Sequence, residues 1–292
     1  MAAFSQAVYL KTDAGGLFWL VTPDAPMHRR AAQVNGGLPI CSSSSRYCVQ
    51  SNRATMGGAL MVDLEHSEAW RAPQTAAMLT VPPSELSRRV QDLFYDLDLS
   101  NSAGFGAFIP HIMRLACTDF PLPGSACGNL VLERAEPFVL GAARACRDSD
   151  PDALCTNAVA LIGLGGGLTP SGDDFAGGLL FCLKHLGLTA LSKKLHDALT
   201  RPEFLGIATN EISAAILIDL VAGHAVAPLH ETVNRLLLGE AKERIHPFVS
   251  QLTSLGHSTG WDLLAGVFTG LLAVRSLKHG LAVTGVTACT TA

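Results

Sequence analysis

The period of the hydrophobic pattern changes once along this chain, near Ser84, and that change limits the folds open to it. Ahead of it lie three short apolar or β-branched runs bounded by Gly, Pro or Asp: Ser5 to Lys11, Leu17 to Thr22 and Gly58 to Leu64. Such runs read as strands of a small β-rich, barrel-like domain. The serine cluster from Cys41 to Ser45 reads as a surface turn, because serine hydroxyls compete for backbone hydrogen bonds. From Ser84 onward Leu86, Val90, Leu93, Phe94 and Leu97 share one helical face, with Ser84 the candidate N-cap after Pro82 and Pro83. Helical patterns continue over 129–146, 151–162, 173–186, 191–199, 210–222, 229–238, 240–255 and 261–277. Gly187, Gly223 and Gly239 stand where C-caps are wanted. The expected fold class is α+β, with a β-rich domain at 1–78 and a larger all-helical domain at 79–292.

A chain of 292 residues can bury a sizeable core, and 48% hydrophobic against 16% charged residues excludes disorder. The same balance suits an oligomer with apolar interfaces. A net charge of -4 offers no basic field for a phosphate backbone, so nucleic acid is not expected as a partner. The opening MAAFSQAVYLKTD lacks the charged and continuously apolar regions of an export signal, which points to the cytoplasm. The most apolar stretches, Ala158 to Leu183, Ile212 to Ala227 and Leu263 to Val274, contain Asp173 and Asp174, contain Asp219, or are too short to cross a bilayer. They read as buried helices, and no membrane is expected. The eight cysteines form no C-x-x-C pair and read mostly as reduced core residues. The spacing from Cys41 to Cys48 leaves a disulfide or soft-metal site open.

Chemistry concentrates in Gly163 to Asp174, G-L-G-G-G-L-T-P-S-G-D-D. Glycines let backbone approach a ligand closely, and the unpaired N–H groups of a helix start attract anions, so this is a candidate cradle for phosphate or carboxylate. No Lys follows the glycines, as a Walker A loop requires, and the preceding segment is helical rather than a strand, which excludes a Rossmann fingerprint. The structural alternative is a tight inter-helix turn with Ser171 and Asp174 as an S-x-x-D capping box. A second segment, Thr259-Gly260-Trp261-Asp262-Leu263-Leu264-Ala265-Gly266, repeats the pattern of Ser171-Gly172-Asp173-Asp174-Phe175-Ala176-Gly177-Gly178. It follows Gly256-His257-Ser258, so two helix starts of one type are expected to converge on one site, their small residues letting the helices pack closely. A third polar island, Thr209-Asn210-Glu211-Ile212-Ser213, opens another helix, with Thr209 or Asn210 as its cap. His111, after Pro110, reads as a loop residue, and His224 as a cap or packing residue at a helix end. No two histidines have the i, i+4 spacing of a metal helix.

These three motifs, in this order, resemble a bacterial family long labelled only as a domain of unknown function. One of its members is a subunit of the oxamate carbamoyltransferase of anaerobic allantoin breakdown. The resemblance implies a subunit acting with larger partner proteins on carbamoyl phosphate and oxamate, or on oxalurate and phosphate in reverse. Asp173, Asp174 and His257 are the catalytic candidates: Asp173 orients the amide or moves a proton, and His257 neutralises developing charge. Gly165, Gly166, Gly167, Thr169, Ser171, Gly172, Asn210, Ser213, Ser258, Thr259 and Asp262 are the ligand-binding candidates. No cofactor is expected, although a divalent metal at Asp173 and Asp174 would also offset their charge beside an anion. The expected partners are a small anionic substrate and other subunits, in a hetero-oligomer or homo-oligomer. The motifs contain no Arg or Lys, and this absence favours the alternative of a non-catalytic binding or regulatory subunit whose partner owns the chemistry.

Overall fold

The computed structural model describes residues 2–3, 6–13, 15–35, 37–38, 47–50, 53–56, 59–63, 65–73, 81–117 and 129–274. The chain divides into two compact units, Met1–Pro73 with Ala225–Ala227, and Gln74–His224 with Pro228–Ala292. In the first, β1 (Ala2–Ala3), β2 (Ala7–Lys11), β3 (Leu17–Val21) and β4 (Ala31–Gln33) form one sheet in that order, antiparallel except for the parallel β3–β4 pair. β5 (Tyr47–Gln50), β6 (Arg53–Met56) and β7 (Ala59–Asp63) form a second, antiparallel sheet. Among the described residues, the strands thus make two small sheets ahead of the larger helical region, as the expected α+β class requires. Alternation in β2 turns Val8 and Leu10 inward, where they meet Leu20 and Val34, with Val62 of β7 packed against them. The expected turn at Cys41 to Ser45, and with it the Cys41 partner of Cys48, lies outside the described residues.

Among the described residues, the second unit carries eleven helices: α1 (Pro83–Asp96), α2 (Ile109–Cys117), α3 (Leu130–Asp148), α4 (Pro151–Val159), α5 (Ser171–His185), α6 (Thr189–Leu199), α7 (Pro202–Ala208), α8 (Glu211–Val221), α9 (Ala227–Leu238), α10 (Lys242–Thr253) and α11 (Thr259–Leu271). A 3-10 segment, Gly104–Phe108, precedes α2. The helix expected to begin behind Ser84 starts two residues earlier, at Pro83. Pro83 takes the first helical position, where its missing N–H costs nothing, so Pro82 is the N-cap and Ser84 is not. Pro110 is the second residue of α2, also within the first turn where the backbone N–H groups have no partner in the helix, and His111 is therefore in a helix rather than a loop. Asn129 and Asp150 cap α3 and α4 through their side chains, and Gly187, Gly223 and Gly239 take positive φ angles at helix ends as expected. Helix α11 ends at Leu271, and residues 275–277 of the longer helix expected there lie outside the described residues. Cys146 and Cys182 are buried free thiols, pushed up by burial, as a core cysteine should be.

Helices α5 and α11 are buried on all sides, as their uniformly apolar and small residues require. They pack against each other in parallel. A Cβ added at Gly178 would strike the Leu263 carbonyl, and one added at Gly266 would strike the Phe175 carbonyl. Farther along, Gly270 lies against Cys182, its would-be Cβ 3.0 Å from the Cys182 Cβ. Glycine at these points brings backbone against backbone. Gly177, also expected in this contact, faces Leu217 and Leu220 of α8 instead. Around the pair, α2, α3 and α10 pack on α11, and α4, α6 and α8 pack on α5.

This packing predicts that Gly178→Ala and Gly266→Ala each destabilise the protein by about 1–3 kcal/mol, despite the better helix propensity of alanine. Gly206→Ala in α7, where a Cβ meets nothing within 4 Å, should instead be neutral or stabilise by up to about 1 kcal/mol. Urea denaturation of the three variants measures both outcomes.

Candidate functional site

The two similar segments take the same local structure. Leu164 N–H donates to Leu161 O and Gly172 N–H to Leu164 O at 2.9 Å each; in the second copy Leu255 donates to Leu252 O at 3.0 Å and Gly260 to Leu255 O at 3.2 Å. Gly172 lies directly against the Leu161 carbonyl, and Gly260 against the Leu252 carbonyl, so neither position has room for a side chain. The contacts between α5 and α11 map onto themselves at the same offset: Phe175 corresponds to Leu263, Gly178 to Gly266 and Cys182 to Gly270. The helices are therefore related by a local two-fold axis running along the pair.

Because the pair is parallel, both helix starts lie at the same end. Thr169 Oγ1 and Thr259 Oγ1 are 3.1 Å apart, and Ser171 Oγ and Ser258 Oγ 3.5 Å apart. The convergence expected from the repeat is thus present. The S-x-x-D capping box is not: α5 begins at Ser171 with Pro170 as N-cap and α11 at Thr259 with Ser258 as N-cap, and neither start has a side-chain cap. The serine and threonine hydroxyls of the two starts meet one another instead.

The glycine loop is held from below by Asp173. Its Oδ1 accepts from Gly163 N–H at 2.6 Å, and its Oδ2 accepts from the Ser213 hydroxyl at 2.5 Å and from the Thr209 hydroxyl. Asn210 caps α8 by accepting from Ile212 and Ser213 N–H, and its own Nδ2 donates to Leu168 O at 2.8 Å. The third polar island therefore anchors the loop as well as a helix. Gly163, Gly165 and Gly167 take φ of 79°, 124° and 90°, a region that favours glycine. A Cβ at Gly165 would sit 2.7 Å from Ser171 N, whereas Gly166 opens on nothing within 4 Å. Among the described residues, the N–H groups of Gly165, Gly166 and Gly167 find no acceptor in the chain. Gly166, Gly167 and His257 are exposed, and Thr169, Ser258 and Thr259 half-buried.

Residues 161–271 match the family described as oxamate carbamoyltransferase subunit AllH. The matched segment spans the glycine loop, both helix starts and the island at 209–213, and the resemblance carried by the three motifs holds over it. It covers less than half of the chain. No curated protein and no solved structure matches.

Within the matched segment the electrostatics are set by two carboxyls. Asp174 is 2% exposed and Asp262 0%, and the Oδ2 of each has no hydrogen-bond partner. Burial, with repulsion from Asp262 next and Asp173 after it, holds Asp174 well above the usual carboxylate range, against the pull of the Thr169 and Thr259 hydroxyls. Burial likewise raises Asp262 to about 6, while the Phe105 N–H at 2.6 Å, the Ser258 and Ser171 hydroxyls and the charge of His257 hold it down. The Phe105 contact has no signal in the motif. It comes from Gly104, whose φ of 54° and missing Cβ let the 3-10 segment close over Asp262. Among the described residues, no group of three or more His, Cys, Asp or Glu gathers as a metal site would require, and Asp173 accepts from three donors of its own.

A folded pKa near 6 for Asp262 lies above the unfolded value of about 4. Its stabilising contribution is therefore complete below about pH 4 and lost as pH rises through about 6. Asp262→Asn keeps an acceptor for Phe105 N–H and cannot ionise. Relative to wild type it should remove a fall in stability of order 3 kcal/mol across that window, read from unfolding midpoints against pH.

Proposed function

We propose that the chain is a carbamoyltransferase subunit that binds a small anion, carbamoyl phosphate or the carboxylate of oxamate and oxalurate, on the glycine loop. The observation that carries this reading is the convergence of two parallel helix starts beside three unpaired glycine N–H groups. Two starts add their partial positive charges at one place, and the loop adds donors that need no side chain. The description of the matched family supports the reaction class.

In this reading Gly165, Gly166, Gly167 and the Ser171 N–H hold the anion, and Thr169, Ser258 and Thr259 supply hydroxyls beside it. His257, exposed and close enough to act on Asp262, faces the charge that grows on phosphate as the oxamate nitrogen attacks the carbamoyl carbon. Asp173, with Thr209, Ser213 and Asn210 around it, keeps the loop in its binding shape. The motifs contain no Arg or Lys, and transfer from carbamoyl phosphate calls for cationic groups, which a partner subunit supplies. Ile207, 90% exposed, lies next to Ala208, whose carbonyl abuts Gly163 at the root of the loop.

Calorimetry of the full chain, alone and with its partner subunits, should show binding of carbamoyl phosphate, oxamate, oxalurate or phosphate. Gly165→Ala, which strains a positive φ and presses on Ser171 N, should weaken it at least about tenfold. Absence of binding by all four ligands, with partners and divalent metal present, would end this reading. Turnover by the chain without partners would show that the cationic groups are not supplied in trans.

A further inference from the structure

The residues that meet at the two helix starts form two levels. Thr169, Ser258 and Thr259 are partly open to solvent and Ser171 is 8% exposed, whereas the carboxyls they neighbour, Asp174 and Asp262, are closed off. The neighbours are exchanged across the local two-fold. Asp174 is approached by Thr169 from its own loop and by Thr259 from the start of α11; Asp262 is approached by Ser258 from its own helix and by Ser171 from the start of α5. Neither Oδ2 is closed off by a hydrogen bond. A hydroxyl has one proton and two lone pairs, and which of them it turns toward a carboxyl depends on whether that carboxyl carries a proton.

We propose that Asp174 and Asp262 set the direction of these four hydroxyls, so that a small anion at the glycine loop binds together with a proton taken up from solvent. The inference rests on the anion-binding reading of the loop. With a carboxyl protonated, its O–H donates to a hydroxyl oxygen, and the hydroxyl's own proton turns outward as a donor to the anion. With the carboxyl ionised, the hydroxyl proton turns inward and a lone pair faces the anion, next to a buried negative charge. Proton and anion therefore enter together and their charges cancel. The groups acting on the pair fit this: Asp173 on α5 and the two carboxyls acting on each other favour uptake, and His257 opposes it at Asp262. The 3-10 segment brings the Phe105 N–H and no charge, and the Ser213 hydroxyl of α8 is spent on Asp173. Burial holds both carboxyls above the usual carboxylate range, Asp262 at about 6, so the buried pair favours holding a proton. Both aspartates act as positioning residues, through the hydroxyls.

The test uses oxamate and sulfate, neither of which titrates between about pH 5.5 and 8, on the full chain with its partner subunits. Calorimetry in buffers of different ionisation enthalpy counts the protons taken up. Wild type should take up close to one proton per anion at the upper end of the range, and its affinity should fall by up to about tenfold per pH unit as pH rises. Asp262→Asn and Asp174→Asn should each flatten this dependence, because the amide always offers a donor, and unfolding curves confirm that both variants fold. His257→Gln should bind more weakly and keep the proton uptake. Binding with no proton uptake, or an uptake lost in His257→Gln and kept in both Asn variants, overturns the inference while leaving the loop reading intact. If neither anion binds at any pH, the loop reading fails and this inference falls with it.

Discussion

The close approach of α5 and α11 is the constraint on which the helical unit depends. Two helices can run parallel with backbone against backbone only where side chains are removed at the crossing, and Gly178 and Gly266 remove them at equivalent points. The contact closes the core and also places two helix starts at one end. In an antiparallel pair the positive ends would lie at opposite poles of the bundle. The same glycines therefore set both the packing of the pair and the meeting of its two helix starts.

That arrangement has an electrostatic cost and uses it. Two carboxyls buried a turn inside adjoining helix starts repel each other and lack water. They are held by helix dipoles, hydroxyls and, at Asp262, the Phe105 N–H. Asp173, next in sequence to Asp174, has the opposite environment. Three donors close on it, and it works as a tie between the loop and α8. Adjacent aspartates on one helix turn thus face different neighbours, because successive helical positions point about 100° apart.

How much of this was legible in the sequence follows from which signals are local. The strands at Ala7–Lys11 and Leu17–Val21 and the C-terminal glycines are short-range signals, and they were readable. So was the pairing of the helix starts, because a repeated S/T-G-x-D with small residues behind it leaves a written trace. The start of α1 was misread by two residues because Pro at the first helical position and Ser as N-cap are competing signals, and proline takes the position. Helix α2 was hidden by Pro110 in its first turn, and α7 by its seven-residue length. The Phe105 contact with Asp262 could not be read, since it joins a backbone N–H to a side chain across 157 positions of chain. Ser171 and Asp174 looked like a capping box because spacing records which residues could meet, not which partner a neighbouring helix supplies.

The local two-fold is not perfect, and its imperfections fall at the open end. Ahead of α5 stand four glycines and Thr169; ahead of α11 stand a single glycine, His257 and Ser258. Inside the pair, Asp174 and Asp262 and the crossing glycines Gly178 and Gly266 stay matched across the axis, while the mouths differ, one rich in backbone donors and one bearing an imidazole. The open end therefore presents unlike chemistry on the two sides of the axis, and the symmetry that packs the helices stops short of the surface.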